Sequence, residues 1–169
     1  MYEFQTLFQV RLATESDIPD IMNITQEAFQ KYRELAGIDS TPALHETYED
    51  ILHDIQTKIV LIAFSNGTPV GSVRLEVFDD HTAYLSRFGV KISSQNNGIG
   101  QSIMNIVDKI MLDQGVTRLS LHTGSKIASL IRFYYGRGFY IDSTDKSKGY
   151  IRALLMKDYE NNGEEKKND

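Results

Sequence analysis

The run Gln95-Asn96-Asn97-Gly98-Ile99-Gly100 has residue types and spacing that suit it to chemistry. It follows a strand-like segment and opens a long amphipathic helix. Two glycines at such a junction let the backbone turn tightly and bring consecutive N–H groups toward one point. The first turn of a helix carries free N–H donors and roughly half a positive elementary charge, so the point suits a phosphate group. A purely structural turn without a ligand is the competing reading. Two familiar phosphate loops fail here. A P-loop needs a Lys-Ser/Thr pair after its last glycine, which the chain lacks. A dinucleotide fingerprint counted from Gly98 puts Ile103 where its third glycine belongs. What remains is Gln/Arg-x-x-Gly-x-Gly/Ala, which residues 95–100 satisfy.

The elements that must hold this loop follow from periodicity. Phe8–Ala13 alternates as a first strand. Thr14 with Asp17 forms a capping-box pattern, Pro19 suits a first helical turn, and Ile18, Ile21, Met22, Thr25, Ala28, Phe29 and Tyr32 keep helical spacing. After a break over Leu35–Pro42, Leu44, Tyr48, Ile51, Leu52 and Ile55 predict one face of a second helix. Lys58–Phe64 and Val70–Phe78 flank Asn66-Gly67 as a hairpin, and Asp79-Asp80-His81 turns the chain into a strand over Tyr84–Lys91. Beyond the loop, Ile99, Ile103, Ile106, Val107 and Ile110 mark a helix that Gly115 caps. A strand over Val116–Thr123 precedes a helix marked by Ile127, Leu130, Ile131 and Tyr134, which Gly136 and Gly138 stop. Phe139–Asp142 and Tyr150–Met156 close the order βααβββαβαββ. The fold class is α+β: a central, mostly antiparallel twisted sheet of about seven strands with flanking helices, in a single domain over 8–158. Residues 159–169 read as a charged, disordered tail.

Bulk properties narrow the functions. A length of 169 residues allows one domain with a substantial core. A net charge of −5 supplies no phosphate-neutralising stripe, so duplex nucleic acid is not expected as a partner. The absence of cysteine excludes disulfides, thiolate zinc sites and a cysteine nucleophile. His45, His53 and His81 sit beside Glu46, Asp54 and Asp80, but their spacings fit no zinc motif, so no metal is expected. No apolar run is long enough to span a bilayer, and Met1–Val10 lacks the pattern of a secretion signal, so the cytoplasm is the expected address.

Taken in order, the strand ending Phe88-Gly89-Val90, the loop Gln95–Gly100 and the pattern Tyr-x-x-x-Gly-Phe at Tyr134, Gly138 and Phe139 resemble the GNAT superfamily of N-acetyltransferases. The early Arg11, Asp17 and Ile21 look like that family's opening strand and helix, so the resemblance runs from Val10 to about Lys157. It implies acetyl-CoA as co-substrate. By it, the N–H groups of Asn96, Asn97, Gly98, Ile99, Gly100 and Gln101, with the side chain of Gln95, would bind the pyrophosphate. The pantetheine arm would lie along Phe88, Gly89 and Val90, where the fourth and fifth strands splay apart and leave a polar backbone edge.

Acetyl transfer sets three tasks: a fixed donor for the oxyanion, a proton for the leaving thiolate and removal of a proton from the amine. A strand N–H near Phe88–Val90 could meet the first task. The resemblance gives the second to Tyr134, with its neighbour Tyr135 a poor second; the bland alternative is a core tyrosine whose hydroxyl binds the backbone. For the third, His122 and Glu76 are candidates. Against them stand a hydrogen-bonded strand-end histidine, a glutamate facing solvent or paired with Arg74 or Arg87, and a base made of water and backbone carbonyls alone. Many family members carry an asparagine seven residues before the tyrosine; here the place is Ile127, with Ser125 or Ser129 as substitutes. Acceptor contacts would come from Lys31–His45 and Asp142–Tyr150, leaving a small-molecule or peptide amine open. A homodimer is expected by analogy. The rival readings are a coenzyme A-binding sensor or regulatory module without effective catalysis, and a nucleotide-binding domain.

Overall fold

A computed structural model describes residues 7–160. The element order is β1 (Phe8–Leu12), α1 (Ile18–Ala36), α2 (Tyr48–Thr57), β2 (Ile59–Ser65), β3 (Thr68–Val77), β4 (Thr82–Val90), α3 (Ile99–Asp113), β5 (Arg118–Gly124), α4 (Ala128–Gly136), β6 (Tyr140–Asp145) and β7 (Arg152–Asp158). The seven strands form one sheet in the order β1-β2-β3-β4-β5-β7-β6. β4 and β5 pair in parallel, whereas β1 with β2, β2 with β3, β5 with β7 and β6 with β7 pair antiparallel. This is the α+β order expected from periodicity. The chain divides into two compact units: one is the chain up to Glu76 with Leu85–Met104, the other Val77–Tyr84 with the chain from Asn105 onward.

In the first unit, α1 and α2 exist because their apolar positions recur at helical spacing and meet one face of the sheet. Ile18, Ile21, Ile51, Val60 and Ile62 are buried together there. Thr14 and Asp17 cap the turn leading into α1, where the Asp17 carboxylate accepts from the Thr14 N–H at 2.8 Å. Gly37 closes α1 in the left-handed region at φ +67°. Asn66 and Gly67 are left-handed at φ +50° and +80°, as a tight hairpin between twisted strands requires.

The second helix differs from the sequence reading. Leu44 lies in a separate 3-10 turn, Pro42–His45, and α2 starts only after Thr47, whose hydroxyl accepts from the Asp50 N–H at 3.2 Å. Pro42 fixes the earlier turn, and the Thr47–Asp50 box restarts the helix. Tyr48 is exposed, and its hydroxyl donates to Glu15 at 2.7 Å.

In the second unit, Leu119, Leu121, Ala153 and Leu155 are buried on β5 and β7, with Val107 and Met111 buried on α3. Gly115 ends α3 at φ +71°. β6 begins at Tyr140 and runs to Asp145, later and longer than the predicted 139–142; Phe139 is a buried residue ahead of it. Tyr159 donates from its hydroxyl to Asp108 at 2.7 Å, and Lys157 donates to the same carboxylate at 2.8 Å. The rest of the expected tail, 161–169, and the start of the amino-terminal stretch, 1–6, lie outside the described residues.

Candidate active site

In the first unit, β4 ends at Val90 and the chain is tied down at three points. Lys91 N–H donates to the Val70 carbonyl at 2.8 Å, Ile92 N–H donates to Glu27 at 2.9 Å, and the Gln95 side-chain amide donates to the Val90 carbonyl at 3.1 Å. The Gln95 amide therefore clamps the loop to the strand. Asn96 and Gly98 follow in the left-handed region at φ +66° and +77°. Left-handed residues within a turn curl successive N–H groups toward one side, the geometry of an anion-binding nest. At Gly98 no heavy atom of the described residues, its own and its chain neighbours' aside, lies within 4 Å of where a Cβ would stand. α3 begins at Ile99, and Ser102 N–H donates to the Gly98 carbonyl at 3.0 Å. The N–H groups of Ile99, Gly100 and Gln101 thus precede the helical ladder. The first turn of α3 holds no acidic residue, so no side-chain carboxylate answers the positive end of the helix there.

The strand that feeds the loop is itself unusual. Arg87, a non-glycine residue in mid-strand, is left-handed at φ +51°. Such a conformation costs about 1–2 kcal/mol and changes where the following residues aim. Its Nε lies 3.4 Å from Glu46. Glu46 also receives both terminal nitrogens of Arg74, and Asp54 receives one at 2.9 Å. Arg74 is 0% exposed, so two carboxylates are what make its charge tolerable inside the unit. Gly89 sits against α1: an added Cβ would lie 2.8 Å from the Ala28 Cβ. Glu76 shares the alternating face of β3 with Ser72 and Arg74 and is half-buried. Among the described residues neither Arg74 nor Arg87 pairs with it; both turn to Glu46.

The second unit holds the other candidates. The parallel ladder of β4 with β5 covers Thr82–Tyr84 against Arg118–Ser120, whereas β5 pairs with β7 along its whole length to Gly124. Just past the last β4–β5 pair, the Tyr84 hydroxyl and His122 Nδ1 share a hydrogen bond of 2.6 Å. Burial pushes the His122 imidazole below its ordinary pKa; Arg152 and Lys148 push the same way, and Asp145 opposes them. Tyr134 is 5% exposed, with its ring edge-on to Phe133 at 5.3 Å and to Phe139 at 5.5 Å. Burial pushes its phenol far above the usual range. Among the described residues the Tyr134 hydroxyl makes no hydrogen bond. Tyr135, one residue on, is 51% exposed.

Ile127 caps α4 and is buried, with its Cδ1 3.0 Å from the Cβ position of Gly124. Ser125 donates its N–H to the Ile151 carbonyl, and Ser129 is exposed in the first turn of α4. Two features escaped the sequence reading. Tyr84 was visible only as a strand residue. The buried Arg74 was signalled by an arginine between Val73 and Leu75 in an apolar strand, a pattern that demands counter-charges. No helix among the described residues is long and apolar enough to cross a membrane.

A seven-stranded α+β sheet with a turn holding left-handed Asn96 and Gly98 between β4 and α3 defines an acyltransferase-like architecture, and comparison with known proteins agrees. The profile of the Acetyltransferase (GNAT) family matches residues 18–139. The chain is 25% identical to the protein YyaT of Bacillus subtilis over 146 residues, covering 86% of this chain and 91% of that one. It is 24% identical to the spermidine N(1)-acetyltransferase of Thermoplasma acidophilum, covering 90% of this chain and 98% of that one. The crystal structure of the PaiA N-acetyltransferase of Thermoplasma acidophilum in complex with coenzyme A superposes with a TM-score of 0.79 at 22% identity, covering 90% of this chain and 99% of that one. This chain belongs to the GNAT family. It is an N-acetyltransferase, and the acyl donor of its family is acetyl-CoA.

Proposed function

We propose that this protein moves the acetyl group of acetyl-CoA to a primary amine of a small molecule or peptide by direct attack of the amine on the thioester. The observation that carries this reading is the loop between β4 and α3. Its left-handed Asn96 and Gly98, its open space at Gly98 and the acid-free first turn of α3 fit a diphosphate. The N–H groups of residues 96–101 would hold that diphosphate, with Gln95 keeping the loop in place. Acetyl-CoA supplies the thioester carbonyl, and a backbone N–H within Phe88–Val90 would donate to the oxygen on which charge develops. Burial keeps the Tyr134 phenol protonated, and that hydroxyl would give its proton to the departing sulfur.

The spermidine relative puts polyamines first among acceptors to try, followed by amino acids and peptide amino-termini. A panel of such amines, followed by release of free coenzyme A thiol, tests the reading. Transfer to at least one amine by the wild-type chain and loss of coenzyme A binding in Gly100→Val support it. Tight coenzyme A binding with no transfer to any amine would favour a binding module instead.

A further inference from the structure

An asparagine followed by glycine is prone to lose its side-chain amide. The asparagine side chain has the length to close a five-membered ring on the next backbone nitrogen, and glycine puts no Cβ in the way. The sequence holds three such pairs, Asn66-Gly67, Asn97-Gly98 and Asn162-Gly163, the last outside the described residues. The first is tied down. Asn66 Oδ1 accepts from the Leu7 N–H at 2.8 Å, and the Asn66 N–H donates to the Leu7 carbonyl at 2.7 Å. The second is open. Asn97 and Gly98 are exposed, and among the described residues neither the Asn97 side chain nor the Gly98 N–H makes a hydrogen bond. The bonds that fix the loop fall to either side of the reacting atoms. Gln95 holds the Val90 carbonyl, and Ser102 reaches the Gly98 carbonyl through both its N–H and its hydroxyl at 3.0 Å. The positive end of α3, with no acid in its first turn, also lowers the cost of ionising the Gly98 amide.

We propose that Asn97-Gly98 is a site of spontaneous deamidation through which the unliganded protein loses its hold on coenzyme A, and that bound coenzyme A suppresses the reaction. The loss of binding rests on the transferase reading above; the chemistry at Asn97 does not. The Gly98 nitrogen gives up its proton and bonds to the Asn97 Cγ. The Cγ–Nδ2 bond breaks, and Nδ2 leaves as ammonia with that proton. Water then opens the cyclic imide. Attack at Cγ leaves aspartate at 97, and attack at the main-chain carbonyl carbon leaves isoaspartate. Aspartate sets a negative charge among the amides that would face the diphosphate. Isoaspartate adds a carbon to the main chain and shifts those amides out of register. A diphosphate oxygen that accepts from the Gly98 N–H occupies the nitrogen that must attack and disfavours its ionisation, which is why the ligand protects.

The test ages the full-length protein at mildly alkaline pH with and without saturating coenzyme A. Mass spectrometry of proteolytic fragments reads the exchange of NH₂ for OH at each pair, and calorimetric titration reads coenzyme A binding. Asn97 should convert faster than Asn66 in the free protein, and coenzyme A should slow Asn97 alone. Binding capacity should fall in step with the Asn97 fragment, and this loss on ageing should vanish in Asn97→Gln, whatever its starting affinity. Asn97→Asp stands in for one product. It should bind coenzyme A about tenfold more weakly or worse, without a lower melting temperature, because a carboxylate there faces the positive end of α3. Conversion at Asn97 no faster than at Asn66, or unaltered by bound coenzyme A, overturns the proposal. So does an Asn97→Asp variant that binds as tightly as the wild type. Fresh protein that fails to bind coenzyme A overturns the loop reading and the protection with it, while the fragment masses still decide the reactivity of Asn97.

Discussion

The side-chain amide of Gln95 donates to the carbonyl oxygen of Val90 at 3.1 Å, so the first residue of the loop is fastened to the last residue of β4. The loop amides and the strand backbone on which this account depends are therefore set by one another. Replacing Gln95 with Leu frees the loop while leaving every backbone donor in place. A hydrogen bond of about 1 kcal/mol corresponds to roughly fivefold in affinity. Calorimetric titration should show coenzyme A binding weakened by about that factor, with kcat at saturating acetyl-CoA retained.

Tyr134→Phe separates chemistry from packing. The hydroxyl makes no hydrogen bond in the described residues, so its removal leaves nothing unpaired. Thermal unfolding should therefore be unchanged or slightly raised, while kcat falls about a hundredfold or more as the proton donor is lost. A lowered melting temperature with kcat retained would return Tyr134 to a packing role.

Much of the fold was legible because its signals are local. Asn66-Gly67 and Gly115 announce left-handed turns by residue type, and Thr14 with Asp17 announces a helix start. The candidate loop was legible for the same reason. Leu44 misled because its spacing suits the α2 stripe, while the proline and the second capping box that separate it act more strongly than periodicity. The Tyr84–His122 pair depends on the register of two parallel strands joined through α3, which no short window of residues encodes. The left-handed Arg87 is equally silent in sequence, since arginine carries no preference for that conformation.

Gly89 tests how closely α1 approaches β4. A Cβ there would stand 2.8 Å from the Cβ of Ala28, so Gly89→Ala forces overpacking of about 1–3 kcal/mol. A drop of about 2–10 °C in melting temperature is expected at this chain length. Adding Ala28→Gly should recover part of the loss, and a double-mutant cycle reads the coupling.

The buried Arg74 should be among the most sensitive positions. Arg74→Met leaves Glu46 and Asp54 without the guanidinium that joins them, a change worth about 3–5 kcal/mol in comparable buried pairs. Denaturant unfolding should show a loss of that order.

Asp17 supplies a pH test. Its carboxyl is held below the usual value, first by the hydrogen bonds from Arg11 at 2.7 and 2.8 Å and then by those from Thr14. A depressed carboxyl contributes stability that is present above its unfolded pKa of about 3.9 and is lost as pH falls through the lower folded value. Asp17→Asn should therefore melt below the wild type at pH 7, and the gap should close as pH drops below about 4. A gap independent of pH would contradict the assignment.

The central claim is that the main-chain amides of Asn96–Gln101 grip the diphosphate of acetyl-CoA. Its most direct test is a titration of ¹⁵N-labelled protein with coenzyme A, followed amide by amide. Downfield shifts are expected at Asn96 through Gln101 that saturate with binding and are reproduced by adenosine 5′-diphosphate, which carries the diphosphate but no pantetheine. Saturable binding of coenzyme A that leaves those amide signals in place would contradict it.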